Sequence, residues 1–279
     1  MQAFSKIAGW PAEHAAVGLV DCTGRLAVRG SVERLFRWAS VTKLLTAGAV
    51  LVAVEEGIVE LDEPAGPSGS TVRHLLAHAS GLPLDAGAPI ARPGVRRIYS
   101  NAGYEVLGEL LASRAGMPFA EYLAGTVLEP VEMPSTEFRG SPASGAAGPL
   151  VDLLRLGREL LAPRFVAPET LAEATTVAFP GLAGVLPGFG RQDANDWGLG
   201  FELRDDKTPH WTGARNSRRT FGHFGRSGTF LWVDPEAGLA LACATDHEFG
   251  DWAKEAWPAL SDAVLAEVRS ADGLPAANR

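Results

Sequence analysis

Strand-like segments occupy both ends of this chain and helical periodicity fills the middle, an order that few folds can satisfy. Residues 16–28 read as strand, turn, strand: the apolar run Ala16–Val20, the turn letters Asp21-Cys22-Thr23-Gly24, then a second run from Arg25. From Ser70 to about Phe179 the apolar spacing is helical, in segments at 71–79, 102–115, 118–128, 149–161 and 168–176 separated by Gly and Pro. The Gly/Ala/Pro-rich piece at 140–149 reads as a linker between two of these helices. Strand patterns return at 197–203, 220–225, 229–235 and 238–246, and the last two are joined through Pro235-Glu236-Ala237-Gly238. So short a connection requires antiparallel pairing. An amphipathic helix at 252–269 closes the pattern. The expected architecture is α+β: one antiparallel sheet flanked by helices, assembled from 1–62 together with 190–279, with 63–189 as an inserted, mainly helical subdomain. A cleft between the two parts is the natural place for a site.

Composition removes several function classes. A net charge of −8 argues against a surface that tracks phosphates, and the basic clusters are small, Arg92 with Arg96 and Arg97, and Arg215 with Arg218 and Arg219. Nucleic acid is therefore not an expected partner. The longest apolar stretch, Leu44–Val54, is too short to span a bilayer and contains Thr46, so it reads as a buried helix and no membrane partner is expected. Met1–Pro11 lacks a basic start followed by an apolar run, which makes a cytoplasmic location the expectation. The two cysteines, Cys22 and Cys243, both fall in strand-like stretches and read as buried free thiols, not as a disulfide framework or a zinc site.

Ser40 and Lys43 carry the first chemical signal. On a helix, residues three apart share a face, so the Lys43 amine reaches the Ser40 hydroxyl, and the helix N-terminus favours negative charge forming beside it. A lysine serves as a base only if burial or a neighbouring cation lowers its pKa, and Trp38, Ala39, Leu44 and Leu45 supply apolar flanks. The bland alternative is that Ser40 caps its helix and Lys43 points to water. Tyr99-Ser100-Asn101 precedes another helical segment; in extended chain its first and third residues face the same way, so a phenol and an amide can enter one site together. From those letters alone, a core tyrosine beside an Asn cap is the readier reading. The third element is His223-Phe224-Gly225 in a strand, where Gly225 allows a ligand close to the backbone and His223 is either a site group or a structural histidine. His74 and His78, four apart, lack the Glu that a zincin helix requires, and no metal is expected there. Trp38, Trp197, Trp211 and Trp232 lie near these elements and read either as core or as the lining of an apolar acyl pocket.

In this order, the three elements resemble the active-site motifs of the serine β-lactamase, penicillin-binding-protein and family VIII esterase group. The stretches LFRWASVTKLLTAGAVLVAVEEGIVELDEP, TVRHLLAHASGLP, RRIYSNAGYEVLGELLASRAGMPFAEYL, WGLGFEL and GHFGRSGTFLWVDPEAGLALACATD extend the likeness to class C-like members over residues 35–246. The resemblance implies a β-lactamase/transpeptidase-like fold, Ser40 as acylated nucleophile, Lys43 as its base, Tyr99 as acid/base and Asn101 as a substrate-amide contact. His223 stands in place of the third-motif lysine, and the backbone N–H groups of Ser40 and Arg226, next to Gly225, form the oxyanion hole. No cofactor or metal is implied. Phe224 replaces the hydroxyl residue that holds a substrate carboxylate in many members, which turns the expectation toward an uncharged small ester or amide rather than a lactam or a D-Ala-D-Ala peptide. A binding protein that kept the fold and lost turnover is the rival class. Oligomeric state is not legible.

Overall fold

The period-two alternation of the last strand explains the layering. Residues 1–271 are described by a computed structural model; the end of the sheet part beyond them, 272–279, lies outside the described residues. A 3-10 turn at Ala3–Gly9 leads into β1 (Ala15–Asp21) and β2 (Leu26–Gly30), then a short β3 (Phe36–Arg37). The helices α1 (Thr42–Glu55), α2 (Val72–Leu76), α3 (Asn101–Ala115) and α4 (Phe119–Leu123) follow. Next come β4 (Glu137–Phe138), β5 (Ala146–Gly148), α5 (Leu150–Leu161), α6 (Pro168–Ala174) and the hairpin β6 (Gly184–Leu186) and β7 (Gly190–Gln192). Last are β8 (Glu202–Leu203), β9 (Phe221–Gly225), β10 (Thr229–Asp234), β11 (Leu239–Thr245) and α7 (Asp251–Ala271).

Six strands form one antiparallel sheet in the order β2-β1-β11-β10-β9-β8. In β11, Leu239, Leu241 and Cys243 face one apolar cluster with α7, whereas Ala240, Ala242 and Ala244 face another that contains α1 and α5. The small residues on the second face let α5 sit close. A Cβ on Gly157 of that helix would stand 2.9 Å from the Cβ of Ala240, and one on Gly18 of β1 would meet Leu154. Helix α5 thus lies against the sheet although its residues fall within the span 63–189. Helix α1 is buried on nearly every side, as its predominantly apolar letters required. No helix among the described residues is long and apolar enough to cross a membrane.

Several expectations change. Residues 140–149 are no simple linker: β5 pairs with β3 and β4, and its entry is tied to α1, where Thr46 Oγ1 donates to Pro142 O at 2.6 Å and Ala146 N–H to Thr42 Oγ1 at 3.0 Å. Cys22 is exposed in the β1–β2 turn, and only Cys243 is a buried thiol. The 197–203 stretch contributes just two strand residues, and 118–128 splits into α4 and a π-turn at Ala124–Leu128.

Candidate active site

Ser40 does not cap α1; it sits in a 3-10 turn, Ala39–Val41, that immediately precedes the helix. The turn is clamped through Trp38, which is fully buried, donates Nε1–H to Gly148 O at 3.0 Å and its backbone N–H to Ala146 O at 3.0 Å. Ala39 is held at φ 45°, left-handed backbone that a non-glycine residue adopts only under the constraint of its surroundings. Strand β9 presses on the other side of this turn. A Cβ on Gly225 would stand 2.1 Å from the Trp38 carbonyl oxygen, so the glycine admits the chain's own backbone where the sequence reading had placed a ligand. Gly225→Ala should therefore push β9 off the Ser40 turn, costing about 1–3 kcal/mol in a thermal melt and a larger fraction of activity than of stability.

Lys43 is fully buried and its Nζ has three oxygen neighbours: Ser40 Oγ at 3.3 Å, Asn101 Oδ1 at 2.7 Å and Ala143 O at 3.0 Å. A neutral amine offers two donors and one lone pair. Asn101 and Ala143 can take the two donors, which leaves the lone pair for the Ser40 O–H. Burial drives the amine down from its usual value to about 7, against the opposing pull of the Glu105 and Asp85 carboxylates. The rings of Tyr99 and Tyr104 flank it at 4.8 and 5.2 Å.

The second element is placed by a residue whose role the sequence did not disclose. His78 brackets Tyr99: its carbonyl accepts from Ile98 N–H at 2.9 Å, its Nδ1 accepts from Ser100 N–H at 3.1 Å, and its ring lies 4.5 Å from the tyrosine ring. It does so at φ 54°, just past the end of α2. His74 is occupied elsewhere, against Thr71 at 2.9 Å and stacked on Phe179 at 4.3 Å. Ser100, not Asn101, caps α3 by accepting from Gly103 N–H at 3.0 Å. That leaves the Asn101 amide to hold Lys43 with its oxygen and to donate its nitrogen to Asp85 Oδ1 at 3.2 Å.

His223 is buried on β9, where Nδ1–H donates to Phe224 O at 2.7 Å. Its Nε2 is therefore the bare nitrogen, and it accepts from the Tyr99 O–H at 3.4 Å. Burial and the Lys43 charge push the imidazole down to about 3, which keeps it neutral. Burial raises the Tyr99 phenol, partly offset by a hydrogen bond with Ser40. Of these groups Lys43 is the one that deprotonates near neutral pH.

The groups open on a cleft of about 960 Å³ whose lining includes Ser40, Tyr99, Asn101, His223 and Arg226. Leu186, Pro187 and Phe249 form an apolar wall, with Phe224 5.0 Å from Phe249. Phe224 itself is mostly core, packed on Trp211 and Trp257. Of the four tryptophans considered for an acyl pocket only Trp197 reaches the cleft; Trp38, Trp211 and Trp232 are interior. Glu202 also lines the cleft, unnoticed in the sequence. Lys207 pairs with its carboxylate, His210 Nε2 lies at 2.9 Å and Trp211 Nε1–H donates at 2.7 Å. Burial alone would raise this carboxyl, but the neighbouring His210 and Lys207 hold it below its usual value.

This arrangement has relatives. The family model described as "Beta-lactamase" matches residues 9–265. The crystal structure of a β-lactamase (Mb2281c) from Mycobacterium bovis is 54% identical, with a TM-score of 0.93 over 95% of this chain and 98% of that one. EstCE1, described as a hydrolase with promiscuous acyltransferase activity, shares the fold at 18% identity and TM-score 0.76 over 94% of this chain and 96% of its own. The D-alanyl-D-alanine-carboxypeptidase/endopeptidase AmpH of Escherichia coli K12 is 26% identical over 152 residues, which are 41% of this chain and 40% of AmpH. With a family match over nearly the whole chain and the same sheet-and-helix fold beneath it, the protein belongs to the β-lactamase family within the serine β-lactamase and penicillin-binding-protein superfamily.

Proposed function

We propose that the protein hydrolyses a small ester or amide through an acyl-Ser40 intermediate. The observation that carries this reading is the buried Lys43 amine, brought to about 7 and standing 3.3 Å from the Ser40 oxygen in an open cleft. The neutral amine takes the Ser40 proton as its oxygen attacks the carbonyl carbon. Backbone N–H groups of Ser40 and Arg226 receive the charge on the carbonyl oxygen. Tyr99 gives its proton to the departing alkoxide or amine and is reprotonated from the Lys43 ammonium, so one proton leaves with the product for the one taken from Ser40. Water then attacks the acyl-enzyme through the same groups in reverse.

A neutral His223 and the apolar Phe224 supply neither a cation nor a hydroxyl to a substrate carboxylate, which favours acyl groups without a carboxylate over β-lactams and D-Ala-D-Ala peptides. Lactam hydrolysis remains the second reading, favoured by the 54% identity to a protein described as a β-lactamase. The test is hydrolysis of p-nitrophenyl acetate and butyrate beside a chromogenic cephalosporin, with wild type and Ser40→Ala, while intact mass follows the acyl adduct. Ester turnover that vanishes in the variant, with slow lactam cleavage, is the expected result. Faster lactam than ester turnover would install the second reading, and no turnover with no adduct would leave a binding protein.

A further inference from the structure

The cleft contains a carboxylate that this chemistry does not use. Asp85 lies on the cleft wall, exposed, and no cationic side chain pairs with it among the described residues. It is nevertheless tied to the nucleophile by a short chain of contacts. Asp85 Oδ1 accepts from Asn101 Nδ2 at 3.2 Å, Asn101 Oδ1 accepts from Lys43 Nζ at 2.7 Å, and Lys43 Nζ stands 3.3 Å from Ser40 Oγ. Its loop is fixed as well: the N–H groups of Asn101 and Ala102 donate to Leu84 O at 2.6 and 3.2 Å, and Ser100 Oγ donates to Pro83 O at 2.6 Å. The first turn of α3 faces this loop. Leu84, half exposed beside Asp85, offers an apolar surface to the carbon chain of a ligand.

The other charges of the cleft are otherwise engaged or exposed to solvent. Glu202 is paired with Lys207 and hydrogen-bonded to His210, His223 is neutral, and Arg226 faces Glu248 at 3.6 Å. Arg34, Arg37 and Asp246 are exposed at the rim. The uncompensated charge linked to the nucleophile is thus negative. We infer that the cleft selects acyl substrates bearing a cationic ammonium group a few bonds from the scissile carbonyl, with Asp85 as the counter-charge that receives it. This rests on the hydrolase reading and narrows it.

Three p-nitrophenyl esters of similar size provide the test: 4-(trimethylammonio)butyrate, the uncharged 5,5-dimethylhexanoate, and the monoanion of adipate. None carries a free amine that could cyclise onto its own ester. The readout is the ratio of kcat/KM for the cation to that for the neutral ester, in wild type and in Asp85→Asn, which retains an oxygen for the Asn101 amide. Removing the Asp85 charge also alters Lys43, and that effect cancels in the ratio. The expected ratio is roughly tenfold in favour of the cation in wild type, falling with added salt, and close to unity in the variant. Turnover of the neutral ester with a ratio near unity in wild type, or with a preference that survives in Asp85→Asn, would overturn the inference and leave the hydrolase reading intact. Preference for adipate would overturn it in favour of the rim arginines. Ser40-dependent turnover of none of the three removes the hydrolase reading and this inference with it.

Discussion

Lys43→Met will lower kcat/KM for p-nitrophenyl butyrate by about 10³-fold and erase the rising limb of the pH profile, which in wild type is centred near pH 7. The limb rises with pH because the amine must lose its proton before it can take that of Ser40. The same burial leaves a mark on stability. In the unfolded chain the lysine keeps its proton to an ordinary value of 10.5, whereas the native state releases it near 7, so between those values the unfolded state binds more protons. Wild-type stability therefore gains from this residue as pH rises from about 7 to about 10.5, and below 7 the full penalty of burying the charge is in place. Methionine has no such penalty. The melting-temperature difference between variant and wild type should accordingly shift in favour of the wild type as the pH is raised from 7 to about 10. A difference independent of pH, together with an unchanged activity limb, would show that Lys43 stays charged and is not the base.

Tyr99→Phe is expected to cost about 10²–10³-fold in kcat/KM on an alkyl ester and far less on a p-nitrophenyl ester. The reason lies in the leaving group. An alkoxide needs the Tyr99 proton, whereas nitrophenolate departs as a stable anion. Phenylalanine keeps the ring contacts with His78, Trp197 and the Lys43 amine, so the segment should remain in place. It removes the hydroxyl that lies between Ser40 and His223 Nε2, leaving that buried nitrogen without a donor at a cost of about 1–3 kcal/mol in a melt. Equal losses on both ester types would mean that Tyr99 positions Ser40 rather than protonating the leaving group.

Much of the frame could be read in advance because its letters carry their own period. The alternation Leu239 to Ala244 has one solution once both faces are buried, and the apolar run of α1 has little choice but the interior. Ser40 and Lys43 were legible for a related reason: their spacing on one chain segment is nearly their geometry. What could not be read depends on partners distant in sequence. Residues 142–146 look like a loop, yet their carbonyls and N–H groups meet Thr46, Lys43 and Thr42 across about a hundred residues. Glu202 showed only as one letter of a strand, since Lys207, His210 and Trp211 reach it from a segment without periodicity. His78 drew attention for its spacing from His74, but its function follows from a left-handed backbone and from two bonds to the 98–100 segment. Asp85 gave no signal at all, because a carboxylate acquires meaning only from what is missing around it.

The strand order has a consequence for how the enzyme comes into being. Strand β1 lies between β2 and β11, with Ala15 opposite Thr245, so the middle of the sheet cannot close until nearly all of the folding chain has been made. Ser40, Lys43 and Tyr99 leave the ribosome long before His223, and the glycine contact that steadies the Ser40 turn comes from β9. The capacity to be acylated should therefore arise in the last step of refolding, after most helical signal has returned. On the proposed reading, a polypeptide stalled short of that step would carry the letters of the Ser40 turn without its geometry, a consequence of topology alone.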